Sequence, residues 1–210
     1  MKFSSKVSWL ALFAITMGFF EAAVVVYLRE LYYPHGFTFP LVEMPSRIIL
    51  VELGREAASL LMLAAVGMLA GRKFWERFGA FILCFGVWDL FYYAFLKVAI
   101  GWPGSLSDWD ILFLIPYPWI GPVIAPALIA LLMAVGGYLF MRRYDRGGRI
   151  QPDLYVWSGA VAGVAVLLYS FMRDTEAAFG QSAPAPYGYG YLAIGLVFCA
   201  GALWRAYFKT

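Results

Sequence analysis

The sequence predicts an all-α, polytopic membrane protein, a bundle of six transmembrane helices with both termini in the cytoplasm. Three observations predict it. Hydrophobic residues make up 63% of the 210, against about 45–50% in soluble domains, and mean hydropathy is +0.74. A span takes about 20 predominantly apolar residues. Such runs recur at about 7–29, 47–70, 74–99, 119–141, 154–172 and 189–208, so 1–210 reads as one integral-membrane domain with no room for a soluble one. Finally, eleven of the 16 basic residues fall on one side of that arrangement: Lys2, Lys6, Arg72, Lys73, Arg77, Arg142, Arg143, Arg146, Arg149, Arg205 and Lys209. The positive-inside rule makes that side cytoplasmic, which fits a cell (inner) membrane. The net charge of +3 is this bias alone and implies no nucleic-acid partner.

The first run follows Lys2 and Lys6 as a signal peptide would. Its apolar character resumes after Glu21, so it reads as a retained anchor. An outer loop is expected over about 30–46, and Pro45-Ser46 start the second span, with Ser46 as N-cap. A third loop, about 100–118, is rich in Trp and Pro and is expected along the outer interface. Asp110 to Met141 is too long for one span and is interrupted by Pro116, Pro118, Pro122 and Pro126. A short interfacial or re-entrant piece is therefore expected before the fourth span. Arg173 to Gly190 begins charged, continues in Ala, Pro, Gly and Tyr, and is expected to be mobile or to act as a flap. Gly159, Gly163, Gly195 and Gly201 suit close packing of the last two spans. Cys84 and Cys199 stand alone mid-span, without a CxxC partner, as buried apolar thiols.

The second span carries the main functional signal. Glu52, Arg55 and Glu56 interrupt an apolar run, and Glu21 and Asp89 interrupt two others. At 100° per residue, Glu52, Arg55, Glu56 and Ser59 share an arc of about 100°. Measured from Arg47, Arg29 and Lys97 as outer ends, Glu56, Glu21 and Asp89 lie roughly 12–13 Å down, at one level. Glu52 lies one turn higher, and Tyr92 and Tyr93 flank Asp89. Three central charges cost roughly 8–10 kcal/mol, while the ten large aliphatics of this span contribute only about 3–6. The helix therefore belongs inside the bundle, with Arg55 paired to a carboxylate. Four acids against one guanidinium leave three excess negative charges, so protons stay bound or a cation sits there.

The expected ligand- and proton-binding set is Glu21, Glu52, Arg55, Glu56, Asp89, Tyr92 and Tyr93, with Trp88 beside them. His35, Asp108 and Asp110 are candidates for the pocket mouth. No cofactor is certain. A divalent cation such as Mg²⁺ or Mn²⁺ on Glu21, Glu56 and Asp89 suits oxygen ligands, whereas zinc is poorly matched without His or Cys ligands and a single histidine excludes bis-His haem ligation. HExxH, P-loop and GxSxG motifs are absent. The reading that follows is an outward-facing acidic pocket that binds or transports a cation or cationic small molecule, with proton coupling. The alternatives are an intramembrane enzyme acting on a lipid-linked substrate and a structural subunit. The expected partners are the lipid bilayer and a small-molecule or ion ligand, and further copies or a membrane complex are allowed.

Overall fold

The computed structural model describes residues 2–179 and 182–209. Six long helices follow the apolar runs: α1 (Phe3–Tyr32), α2 (Ser46–Ala70), α3 (Phe74–Ile100), α4 (Ile124–Asp145), α5 (Leu154–Met172) and α7 (Tyr189–Phe208). A short helix, α6 (Thr175–Phe179), lies between the last two. Five helical segments are long and apolar enough to cross a membrane, namely α1, α3, α4, Leu154–Ala177 and α7. The charged α2 is not among them. Large apolar side chains cover the outside, among them Phe20, Leu69 and Val98. That surface suits lipid rather than water.

The expectation of an all-α chain is corrected by an antiparallel hairpin, β1 (Trp109–Phe113) with β2 (Trp119–Pro122). It occupies the place expected for a short interfacial piece. It also shortens the fourth helix, which begins at Ile124 rather than near residue 119 because 119–122 is strand. Asp110 pairs with Gly121, Ile111 with Ile120, and Phe113 with Trp119. Leu112 is left over as a bulge, a feature that bends a strand and re-aims its side chains. The hairpin's outer face is covered by Phe39 and Leu41 of the first loop and Ala177 of α6.

Helix α3 is the hub, packed on α1, α2 and α4, while α5 and α7 pair with each other. Leu10, Ala14 and Met17 of α1 meet Leu63 of α2 and Leu83, Cys84 and Trp88 of α3 in the main core. Between α5 and α7 the close approach is at Gly163 and Gly195. A Cβ on either would stand 3.0–3.1 Å from the other's carbonyl oxygen. Gly159 makes ordinary contacts and Gly201 faces open space, so only two of the four glycines expected at this crossing create it. At the end of the bundle that carries the N-terminus, Lys6 pairs with Glu76 at 2.6 Å, and Asp153 accepts from the Val156 N–H as the α5 N-cap. Arg205 beside it and that N–H hold the Asp153 carboxyl down at about 2. The described part of the fifth loop is anchored rather than free: the Thr175 hydroxyl donates to the Pro118 carbonyl, and the Tyr187 and Ser170 hydroxyls lie 3.0 Å apart. Residues 180 and 181 of that expected flap lie outside the described residues.

Candidate functional site

The polar stripe of α2 turns inward because nothing outside can satisfy it. Glu52, Glu56 and Ser59 are all buried. Arg55 is held by two carboxylates from two helices: Nε donates to Glu52 at 2.7 Å, and Nη1 pairs with Glu21 of α1. Each contact uses a different edge of the guanidinium, which a lysine cannot reproduce. The Glu56 carboxylate reaches across to the hairpin tip, where both oxygens accept from the Leu114 N–H at 3.0 Å. A strand end would leave that donor unpaired inside the protein, and Glu56 supplies the partner.

Two cavities are stacked on this layer. The inner one, about 60 Å³, is lined by Glu21, Arg55, Glu56, Ser59, Asp89, Tyr92 and Tyr93, together with Trp88 and the bulged stretch of β1. The outer one, about 100 Å³, is lined by Arg29, Tyr33, Glu52, Arg55, Glu56, Tyr92 and Asp110, among others. Arg55, Glu56 and Tyr92 form the wall between them. Six of the seven expected ligand-binding residues thus line one chamber, and Glu52 faces the other. Among the described residues the Asp89 carboxylate makes no hydrogen bond or ion pair. The charges that act on it are Glu21 and Asp110, both of its own sign.

The mouth residues divide. Asp110 is buried and pairs with Arg29 at 3.0 Å, with the Tyr92 hydroxyl at 3.5 Å from its other oxygen and Tyr93 also bonded to it. Asp108 instead closes its own loop, accepting from the Gly104 and Ser105 N–H groups at 2.7 and 3.1 Å. His35 is exposed and lines neither cavity. Among the described residues no three His, Cys, Asp or Glu side chains group so as to hold a metal ion. The expectation of a divalent cation on Glu21, Glu56 and Asp89 is corrected accordingly: Arg55 already occupies Glu21, and the hairpin already occupies Glu56.

Arg29 was expected to mark the outer surface. It points inward and is buried, its guanidinium 3.6 Å from the Trp102 ring and 4.7 Å from that of Phe37. It is the functional candidate that sequence spacing missed. The available signal was its position eight residues after Glu21, about 80° around the helix and so near the same face.

Asp110 lies on the hairpin, and burial pushes its carboxyl up to about 6 against the opposing pull of Arg29. A raised carboxyl favours the protonated folded state. Its contribution to stability is therefore complete below the ordinary value of 3.8 and is lost as pH rises through about 6. The difference in thermal midpoint between the wild type and Asp110→Asn in detergent should change across that window and be flat above it. Parallel profiles would refute the assignment. No family model, curated protein or solved structure matches this chain.

Proposed function

We propose that this is a six-span membrane protein of the cell (inner) membrane, with both termini cytoplasmic, that binds or transports a small cation or cationic molecule. In this reading α2 is the sixth span, carried by its neighbours rather than by its own hydropathy. The observation that carries the proposal is Asp89, a carboxylate without a counter-charge facing a cavity that it shares with Glu21 and Glu56. Two of the site's five acids are held by Arg55 and one by Arg29. Glu56, whose partner is only the neutral Leu114 N–H, and Asp89 are left without a counter-charge, and an arriving cation would displace any protons they hold. The outer cavity supplies a route from the first outer loop, with the Arg55–Glu56 layer as the barrier to be crossed. That pairs a proton with each charge taken in, the basis of proton-coupled movement.

The test uses ethanolamine as the probe cation and protein in phosphatidylcholine nanodiscs. Affinity is expected to fall as the medium is acidified, because protonated acids no longer attract the cation. Asp89→Asn should weaken binding about a hundredfold, the order expected when one partner of a buried charge pair is removed. Binding that is unchanged in the Asp89→Asn, Glu56→Gln double variant would end the proposal.

A second reading is favoured by one observation. Between α1 and α2 a cleft of about 390 Å³, lined by Phe13, Phe20, Glu21, Arg55, Ser59 and Met62 among others, reaches the same ion pair from the side. A lateral opening suits an enzyme on a lipid-linked substrate, with Glu56 or Asp89 as general base and Arg55 beside a developing anion. Turnover of such a substrate, lost in Asp89→Asn with the fold intact, would distinguish it.

A further inference from the structure

Asp89 faces two spaces. Besides the polar inner cavity it lines a second one of about 200 Å³, bounded by Leu112, Phe113, Trp119, Pro126, Ile129 and Leu167 among others. Ile129, Met133, Val164 and Leu167 also line a third cavity, of about 400 Å³, that continues to Trp75 and Trp157 near the inner end. Together they form one apolar groove flanked by α3, α4 and α5, with Cys199, Ala202, Leu203 and Ala206 of α7 lining its larger part. From Asp89 to Trp75 it follows fourteen residues of α3, about 21 Å. Among the described residues Asp89 is the only charged side chain lining either part.

The polar end of the groove is unsatisfied in two complementary ways. Asp89 is an acceptor without a donor. The buried indole N–H groups of Trp88 and Trp119 are donors without an acceptor, Trp88 lining the inner cavity and Trp119 the groove. A hydrocarbon chain alone would satisfy neither, and an inorganic cation would leave the indoles unmatched. The groove wants a chain, the carboxylate a cation, and the indoles an oxygen acceptor next to it.

Building on the function proposed above, we infer that the ligand is a single-chain amphiphile with an amino-alcohol head, its protonated amine on Asp89, its oxygen toward the Trp119 indole that lines the same cavity and its chain in the groove between α4 and α5. The head then sits about 12 Å below Lys97, eight residues further along α3. The chain points toward the inner leaflet. A molecule of this kind arrives through the membrane, where partitioning raises its local concentration, so the chain increases apparent affinity without any new polar contact.

The experiment compares N-dodecylethanolamine, ethanolamine and dodecanol by equilibrium dialysis against wild-type protein in phosphatidylcholine nanodiscs, with empty discs subtracted. N-dodecylethanolamine should bind about tenfold or more tightly than ethanolamine. Dodecanol should not compete with it. Val164→Trp, at a position half exposed in the groove wall, should collapse the ratio between the two amines to about one. Met133→Trp, on the opposite wall, serves the same purpose if the first variant does not fold. Equal affinity for the two amines, both lost in Asp89→Asn, would overturn the amphiphile while leaving the cation site standing. Failure of both amines to bind would overturn both. Dodecanol competing as well as the amine would show a groove that accepts any chain, and would also overturn the inference.

Discussion

Replacing Arg55 with leucine is expected to destabilise the folded protein by about 3–5 kcal/mol, the cost of leaving buried charges without their partner. Two carboxylates are orphaned at once. Glu21 on α1 loses its ion pair to α2 and keeps only the Ser59 hydroxyl at 3.4 Å, and Glu52 loses its donor at 2.7 Å. Both are largely shielded, with side chains 14% and 7% exposed, so solvent cannot replace the guanidinium. The effect should appear as a lowered midpoint in detergent-mediated unfolding. Arg55→Lys should recover only part of it, since an ammonium on a flexible stem cannot present two edges to two helices. Adding Glu21→Gln and Glu52→Gln to Arg55→Leu should restore most of the loss, because the penalty lies in the orphaned charges rather than in the missing bridge. A single leucine variant as stable as wild type to within about 0.5 kcal/mol would mean that Arg55 is no structural tie.

The same pair shows how far the sequence could be read. That Arg55 meets a carboxylate follows from the cost of burying it on a span, and Glu21 was placed at its level by counting residues from the outer end. The apolar runs place the long helices for a related reason: a helix is the structure that satisfies every backbone group internally when water is absent. The hairpin was not legible. Trp109–Phe113 is five residues long, too short for alternation to separate a strand from an interfacial loop, and β2 merges without a break into the apolar start of α4. Arg29 was lost to the measuring convention itself, since it was used as the marker of the outer surface. Its partner, Asp110, lies 81 residues away on the hairpin. A contact of that separation depends on topology, and no periodicity encodes it. Trp88 and Tyr92 were readable as site residues because they sit within a turn of Asp89. That the indole N–H groups of Trp88 and Trp119 lack acceptors was not, and Trp119 joins Asp89 at one cavity only through the hairpin fold.

The hairpin in turn depends on how closely α3 and α4 approach, and there the second large effect is expected. Gly137→Val should cost more than about 3 kcal/mol, in the range reserved for core overpacking and backbone displacement. A Cβ at Gly137 would stand 2.5 Å from the Leu83 nitrogen and closer still to the Gly79 carbonyl oxygen. These are backbone atoms of α3, which have no rotamer to yield. Gly86, two turns further along α3, makes the reciprocal approach to Ala130 and Ala134 of α4, with the Ala134 nitrogen 2.6 Å from its notional Cβ. Small residues on both helices thus let the two backbones touch, the arrangement that drives helix association where lipid removes the hydrophobic incentive. Gly54→Ala is the matched control: it faces open space on α2 and should stabilise by a few tenths of a kcal/mol to about 1. The consequence reaches the site. Asp89 and Tyr92 ride on α3, while the hairpin that carries Asp110 and Leu114 runs directly into α4. Pushing the helices apart therefore separates Asp110 from the Tyr92 hydroxyl and draws the Leu114 N–H away from Glu56, both set by the same spacing. Gly137→Val should accordingly lose ethanolamine binding at temperatures where circular dichroism still reports folded helices. Retained binding in that variant would show that the cavity is built by α1, α2 and α3 alone, with the hairpin as a cover rather than a wall.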